Sequence, residues 1–127
     1  MLDPMTDTLT LYSRLENGYF GTRLTGTAIR RIQSQSLSPT GPKLEDRATI
    51  LYIPARGGRR GAQEFSAETD KTGHFTLLPG DYVVLGESQE GLIPGELRQK
   101  IPGALRIRTV TDHVRGSSLD HWEVEAL

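Results

Sequence analysis

The stretch Leu105–Leu127 reads Leu-Arg-Ile-Arg-Thr-Val-Thr-Asp-His-Val-Arg-Gly-Ser-Ser-Leu-Asp-His-Trp-Glu-Val-Glu-Ala-Leu, two alternating runs separated by Arg-Gly-Ser-Ser. Alternation with a period of two marks half-buried strands, so the stretch is a predicted β-hairpin turning at Arg115–Ser118. Placing Val114 opposite Leu119 sets Thr111 against Trp122, Thr109 against Val124 and Ile107 against Ala126 on one face. The other face then pairs Asp112 with His121, Val110 with Glu123 and Arg108 with Glu125, mostly attractive combinations. A one-residue slip of the whole ladder would expose Trp122 and bury Glu123, so this register is favoured. Trp122, Val124 and Ile107 are therefore core candidates.

The rest of the composition agrees with short strands. Glycine (14) and proline (7) are plentiful, and tryptophan, tyrosine and phenylalanine are few. A chain of 127 residues is expected to form a single domain, 1–127. With a formal charge of −1 it is no polyanion binder through bulk charge, so any DNA contact must be local. No cysteine is present, which removes disulfides and thiolate metal sites. The N-terminal residues lack the basic and apolar regions of a secretory signal. No apolar run approaches the roughly 20 residues of a membrane helix, and no membrane partner is expected.

In chain order, residues 1–7 are a predicted loose tail, followed by strands at Thr8–Ser13 and Gly21–Ile32, with Gly26 marking a bulge or a close backbone approach. Residues 33–44 are polar, aperiodic and broken by Pro39 and Pro42, which predicts a long loop ordered against a partner; Ser36, Pro39 and Lys43 are its candidate contact residues. A strand over Arg47–Pro54 follows, then a glycine-rich basic loop over Ala55–Gly61, then a short edge strand at Gln63–Ala67. Asp70–Gly73 is a turn by composition. His74–Gly86 is a second predicted hairpin. Its Pro79-Gly80 centre suits a type II turn, and pairing Leu78 with Asp81 sets Phe75 and Leu77 opposite Val84 and Tyr82, making Tyr82 a further core candidate. Residues 87–103 are punctuated by Gly and Pro, with room for one or two helical turns at Gly95–Lys100. The expected fold is all-β, a small antiparallel barrel or sandwich of six to seven strands with long loops and little helix.

Motifs for chemistry are incomplete. Gly57, Gly58 and Gly61 lack the lysine and hydroxyl residue of a phosphate-binding loop. Arg56, Arg59 and Arg60 instead form a basic tip suited to phosphate contact by charge. Ser117, Ser118, Asp120 and His121 contain the residue types of a hydrolase triad, but on a turn and strand start that do not dictate triad geometry. The three histidines show no metal-ligand spacing. No catalytic residue, cofactor or metal is expected.

The block Thr109–Val124 resembles a family of small phage and prophage proteins encoded in the head-to-tail module. The resemblance lies in Val110-Thr111-Asp112, Arg115-Gly116-Ser117 and His121-Trp122, with weaker echoes at Leu9–Tyr12, Ile50–Pro54 and Phe75–Val84. It implies a head-closure or head-tail connector of a tailed-phage neck, a small β-barrel assembling as a ring, often twelvefold. Implied partners are further copies of the chain, the portal and its adaptor, the tail proteins and the packaged DNA in the lumen. The implied location is the virion neck, assembled in the host cytoplasm. Residues 56–60 would then face DNA. Other readings are a tail terminator or another neck ring and, from a different class, a small β-domain binding carbohydrate or oligonucleotide on an aromatic platform.

Overall fold

A computed structural model describes residues 7–32, 35–38, 41–44, 48–55, 57–116 and 120–127. In chain order it contains β1 (Asp7–Leu15), β2 (Gly18–Ile32), β3 (Gln35–Ser38), β4 (Gly41–Leu44), β5 (Ala48–Pro54), α1 (Ala62–Ala67), β6 (Tyr82–Leu85), β7 (Gly91–Pro94), α2 (Leu97–Lys100), β8 (Leu105–His113) and β9 (His121–Ala126). Six strands pair in the order β1-β6-β8-β9-β5-β2, and β1 also pairs with β2. The ring is thereby closed into an antiparallel barrel, which removes the edges an open sheet would expose. β7 adds a seventh strand on the outer edge of β2.

The long β2 makes closure possible. Its first half pairs with β1 and β7, its second half with β5. Between the halves the β1–β2 register shifts by one residue, and Gly26 there has φ 70°. A glycine in the left-handed region is what a bulge that bends a strand calls for, as its sequence position suggested.

The barrel interior is filled by Leu9, Leu11, Leu51, Ile53, Phe75, Leu77, Val83, Ile107, Trp122, Val124 and Ala126, all buried. Trp122, Val124 and Ile107 are core residues as expected. Tyr82 differs: it is half-buried and packs against a second cluster, Tyr12, Ile93, Leu97 and Ala104, with its ring edge-on to Tyr19 at 5.4 Å. Two clusters arise because β1 is buried on both faces. Leu9 and Leu11 point into the barrel, while Thr10 and Tyr12 lie under the 86–90 connection. Tyr12 Oη donates to Gln89 O (2.7 Å) and lies 2.8 Å from Ser88 Oγ; Thr10 Oγ1 donates to Gly86 O (3.1 Å). Burial raises the Tyr12 pKa above the ordinary phenol value.

The C-terminal hairpin keeps the expected pairing at Ile107–Ala126 and departs from it beyond. Arg108 is an extra residue, so Thr109 faces Glu125, Val110 faces Val124, Asp112 faces Trp122 and His113 faces His121. The bulge comes where β8 leaves β6, which it contacts only through Leu105 and Arg106. Arg108 and Thr109 both remain exposed, and Val110 turns toward the core in place of a threonine. β9 keeps strict alternation, burying Trp122, Val124 and Ala126.

The second predicted hairpin keeps its turn and loses its ladder. Asp81 N donates to Leu78 O (3.0 Å) and Gly80 has φ 98°, as a type II turn needs. Residues 75–78 do not pair with β6, whose two edges are taken by β1 and β8. Phe75 instead bridges to Arg59 in parallel. Asp81 turns inward, 3% exposed, where its carboxylate accepts from Thr76 Oγ1 (2.7 Å), Leu78 N (3.1 Å) and Arg14 N (3.1 Å). Burial raises its pKa despite these bonds.

Three local expectations are corrected. Residues 62–67 are helical, not an edge strand: Phe65 N donates to Gly61 O, and Phe65 is the helix's one buried side chain, edge-on to Phe20. One apolar residue among good helix formers gives no period-two face to bury. The loop expected over 33–44 contains the two-stranded sheet β3–β4, in which Ser36 and Lys43 are directly opposed, while Pro39 lies outside the described residues. Gly91–Pro94, expected as loop, is strand β7. The turn at Asp70–Gly73, held by Thr72 N donating to Asp70 Oδ1 (3.0 Å), and the short helix α2 match expectation.

Candidate functional site

The basic loop is folded onto the barrel. Phe75 N donates to Gly58 O (3.0 Å) and Arg60 N to Phe75 O (2.8 Å), so the backbone of residues 58–60 is laid beside Phe75. Arg59 then lies across Trp122, its Cζ 5.2 Å from the ring centroid, with Nη1 2.8 Å from Asp112 Oδ1 and Nη2 donating to Leu77 O (3.4 Å). Arg60 Nε is 3.1 Å from Glu68 Oε1, and Arg60 Nη2 is 3.2 Å from His74 Nε2. His74 Nδ1 contacts the other oxygen of Glu68. This Arg60–Glu68–His74 network ties the end of α1 to the segment before the Pro79–Gly80 turn. Two of the three arginines singled out from sequence are thus engaged within the chain, and Arg56 lies outside the described residues. The signals for this were Glu68 and Asp112: Asp112 is too distant in sequence to be linked by spacing, and Glu68 meets Arg60 only because residues 62–67 are helical.

Of the triad residue types in the C-terminal turn, Asp120 and His121 are described. Asp120 accepts from Arg115 N and Gly116 N, both at 2.9 Å, so its carboxylate shapes the turn. His121 is stacked on His113 at 4.8 Å between ring centroids and stands edge-on to Tyr52. His113 Nε2 is 3.5 Å from Glu123 Oε2. The expected Asp112–His121 pair is replaced by Asp112–Arg59, a consequence of the Arg108 bulge. Ser117 and Ser118 lie outside the described residues. Among the described residues no group of three or more His, Asp or Glu side chains is arranged to hold a metal ion. No helix among them is long and apolar enough to cross a membrane.

A second basic region was not singled out from sequence. Arg98 from α2 and Arg106 and Arg108 from β8 line one groove together with Pro79, Gly80 and Leu127. Arg98 is held with its Cζ 5.1 Å from the Tyr82 centroid, Nε donating to Ala104 O (3.2 Å) and Nη2 to Leu127 O (3.3 Å). Arg106 is fixed by its backbone, which exchanges two 2.9 Å hydrogen bonds with Leu127. The side chains of Arg106 and Arg108 are exposed and make no ion pair among the described residues. Arg106 and Arg108 are close in sequence, but Arg98 is separated from them by the Ile101–Ala104 turn, and the fold brings it to the same groove.

Compared with known proteins, residues 5–127 match a family model described as "Family of unknown function (DUF6751)". No curated protein and no solved structure matches the chain.

Proposed function

We propose that this chain, which belongs to the DUF6751 family, is a structural subunit of a tailed-phage neck. In this reading it is a head-closure or head-tail connector barrel that forms a ring, seals the DNA-filled head and receives the tail. The observation that carries the proposal is the agreement of motif and fold. The block that resembles the neck family, Thr109–Val124, implied a small β-barrel, and the chain folds as one, with that block lying in two of its six barrel strands. Its work would be contact, with the portal-side adaptor above, the tail below and DNA in the lumen.

Ring formation gives a use to β7. Among the described residues this strand hydrogen-bonds in the sheet only with β2, and Leu92 on it is 55% exposed. Heterologous contact with a neighbouring copy would cover that edge. The alternative of a ligand-binding domain stacking a base or sugar on Trp122 loses its platform, since Trp122 is 8% exposed with Phe75 and Arg59 against its ring.

Deleting the coding sequence from an inducible prophage tests the proposal. Electron microscopy of the lysate is expected to show heads that lose their DNA and tails that remain separate. Tails of irregular length on closed heads would assign the chain to tail termination instead, and normal infectious particles would overturn the neck role.

A further inference from the structure

We infer that the groove formed by Arg98, Arg106 and Arg108 is the chain's contact for the phosphate backbone of double-stranded DNA. The inference rests on the neck reading for its choice of polyanion, and it assigns the contact to residues other than those of the arginine-rich loop. Three observations carry it.

The first is availability. Arg59 and Arg60 already face Asp112 and Glu68 at 2.8 and 3.1 Å, so a phosphate would have to displace a carboxylate from each. Arg106 and Arg108 have no such side-chain partner among the described residues; the acidic group in the groove is the main-chain carboxyl of Leu127, which Arg98 Nη2 (3.3 Å) and Arg106 N (2.9 Å) already hold, leaving a surplus of arginine charge. Neither Glu125 nor Asp81 lines the groove, and the Asp81 carboxylate is buried.

The second is geometry. Arg106 and Arg108 flank the buried Ile107 on one strand, and both are exposed on the groove. Arg98 reaches the groove from a different element and is braced by Tyr82, Ala104 and Leu127. Its guanidinium has five N–H donors and directs only some of them at those carbonyls, leaving the rest for a ligand. A braced guanidinium loses less side-chain freedom on binding than a free one.

The third is contrast. The chain carries a formal charge of −1, so three arginines in one groove concentrate positive charge on an otherwise slightly acidic molecule. Contacts to phosphate from such a groove carry no base information and suit DNA that must pass in any sequence. In a ring, one such groove per copy would make a repeated basic band.

The test is fluorescence anisotropy of a labelled 20-base-pair duplex titrated with the full-length protein between 20 and 200 mM salt. Three proteins are compared: the wild type, the triple variant Arg98→Ser/Arg106→Ser/Arg108→Ser, and the pair Arg59→Ser/Arg60→Ser. For three phosphates the logarithm of the wild-type binding constant should fall with the logarithm of salt with a slope of about −2.7. The triple variant should bind at least tenfold more weakly with a slope near zero, and the Arg59/Arg60 pair should stay within about twofold of wild type. Should Arg98→Ser disturb folding through Tyr82, the double variant Arg106→Ser/Arg108→Ser is read instead, with a slope near −1. Equal binding by wild type and groove variants overturns the inference, as does no binding by wild type at 20 mM salt. Self-association that depends on the groove, without DNA binding, would assign it to an acidic face of a second copy and overturn it too. The prophage deletion keeps the two readings apart. Leaking heads with groove-independent DNA binding reject the groove alone; normal particles with groove-dependent binding reject the neck role alone.

Discussion

Two sets of arginines divide the surface of this barrel, and they differ in what the fold has done with them. Arg59 and Arg60 are adjacent in sequence, yet each is pinned to a different carboxylate, Asp112 on β8 and Glu68 just after α1. Arg98 lies on a different element from Arg106 and Arg108, yet the three share one groove. A charge run in a sequence therefore says little about free charge. Free charge depends on which acids the topology brings opposite, and in a barrel those pairings are almost all long-range. The first set acts as packing, the second as available surface, and substitutions should separate them.

The largest effect is expected where the first set meets the core. Trp122 packs edge-on to Phe75 at 6.1 Å between ring centroids and carries Arg59 on its face. Trp122→Ala removes both contacts and leaves a cavity, so a loss of about 3 to 5 kcal/mol in unfolding free energy is expected from urea denaturation. A change near zero would mean that Arg59 shields nothing, and the contrast between the two sets would collapse.

Asp81 supplies the next effect, as a buried carboxylate that makes no ion pair among the described residues. Asp81→Ala strands the amides of Arg14 and Leu78 and the Thr76 hydroxyl, at a cost of about 2 to 3 kcal/mol. Its pH dependence carries a definite sign. Burial raises the folded pKa above the ordinary 3.8, so the folded chain binds this proton more readily than the unfolded chain. The stability linked to it is fully present below the ordinary value and is lost as pH rises through the folded one. The gap between wild type and Asp81→Ala should therefore be wider near pH 4 than at pH 7. A gap that widens toward neutrality would mean that the three donors outweigh burial.

These two residues also mark how far the sequence could be read. The alternation of β9 placed Trp122, Val124 and Ala126 in the core because each needs only its own strand's period, and Gly26 and Pro79-Gly80 were legible because their backbone conformations demand those residues. Partner choice was not legible. The sequence around Asp81 looks like a local hairpin, but β6 bonds β1, some 70 residues away, and β8 instead. Nothing in Arg108 announces a bulge; it follows from β8 exchanging neighbours, and it moves Asp112 off His121 and onto Arg59. The free groove was hidden for the same reason, since its members meet only after α2 and β8 have both docked.

Arg59→Ala is expected to cost about 1 kcal/mol. Asp112 is largely exposed, so the ion pair itself contributes little, and most of the loss comes from the guanidinium's contact with the Trp122 face. Asp112→Asn should accordingly cost less than Arg59→Ala, and the reverse order in thermal unfolding would put the energy in the ion pair.

The smallest effect is the most discriminating. Arg106→Ser and Arg108→Ser remove exposed cations that make no ion pair among the described residues, so unfolding free energy should change by no more than about 0.5 kcal/mol for either. Arg108 sits at the bulge, where the conformation is set by Ile107 turning inward and by β8 leaving β6, neither of which involves its side chain. A loss above 1 kcal/mol for Arg108→Ser would show that the side chain holds the bulge in place, and Arg108 would then join Arg59 among the arginines used by the fold. Near-neutral stability in both variants keeps the groove arginines as a surface the fold does not need, which is the condition for assigning them to a partner.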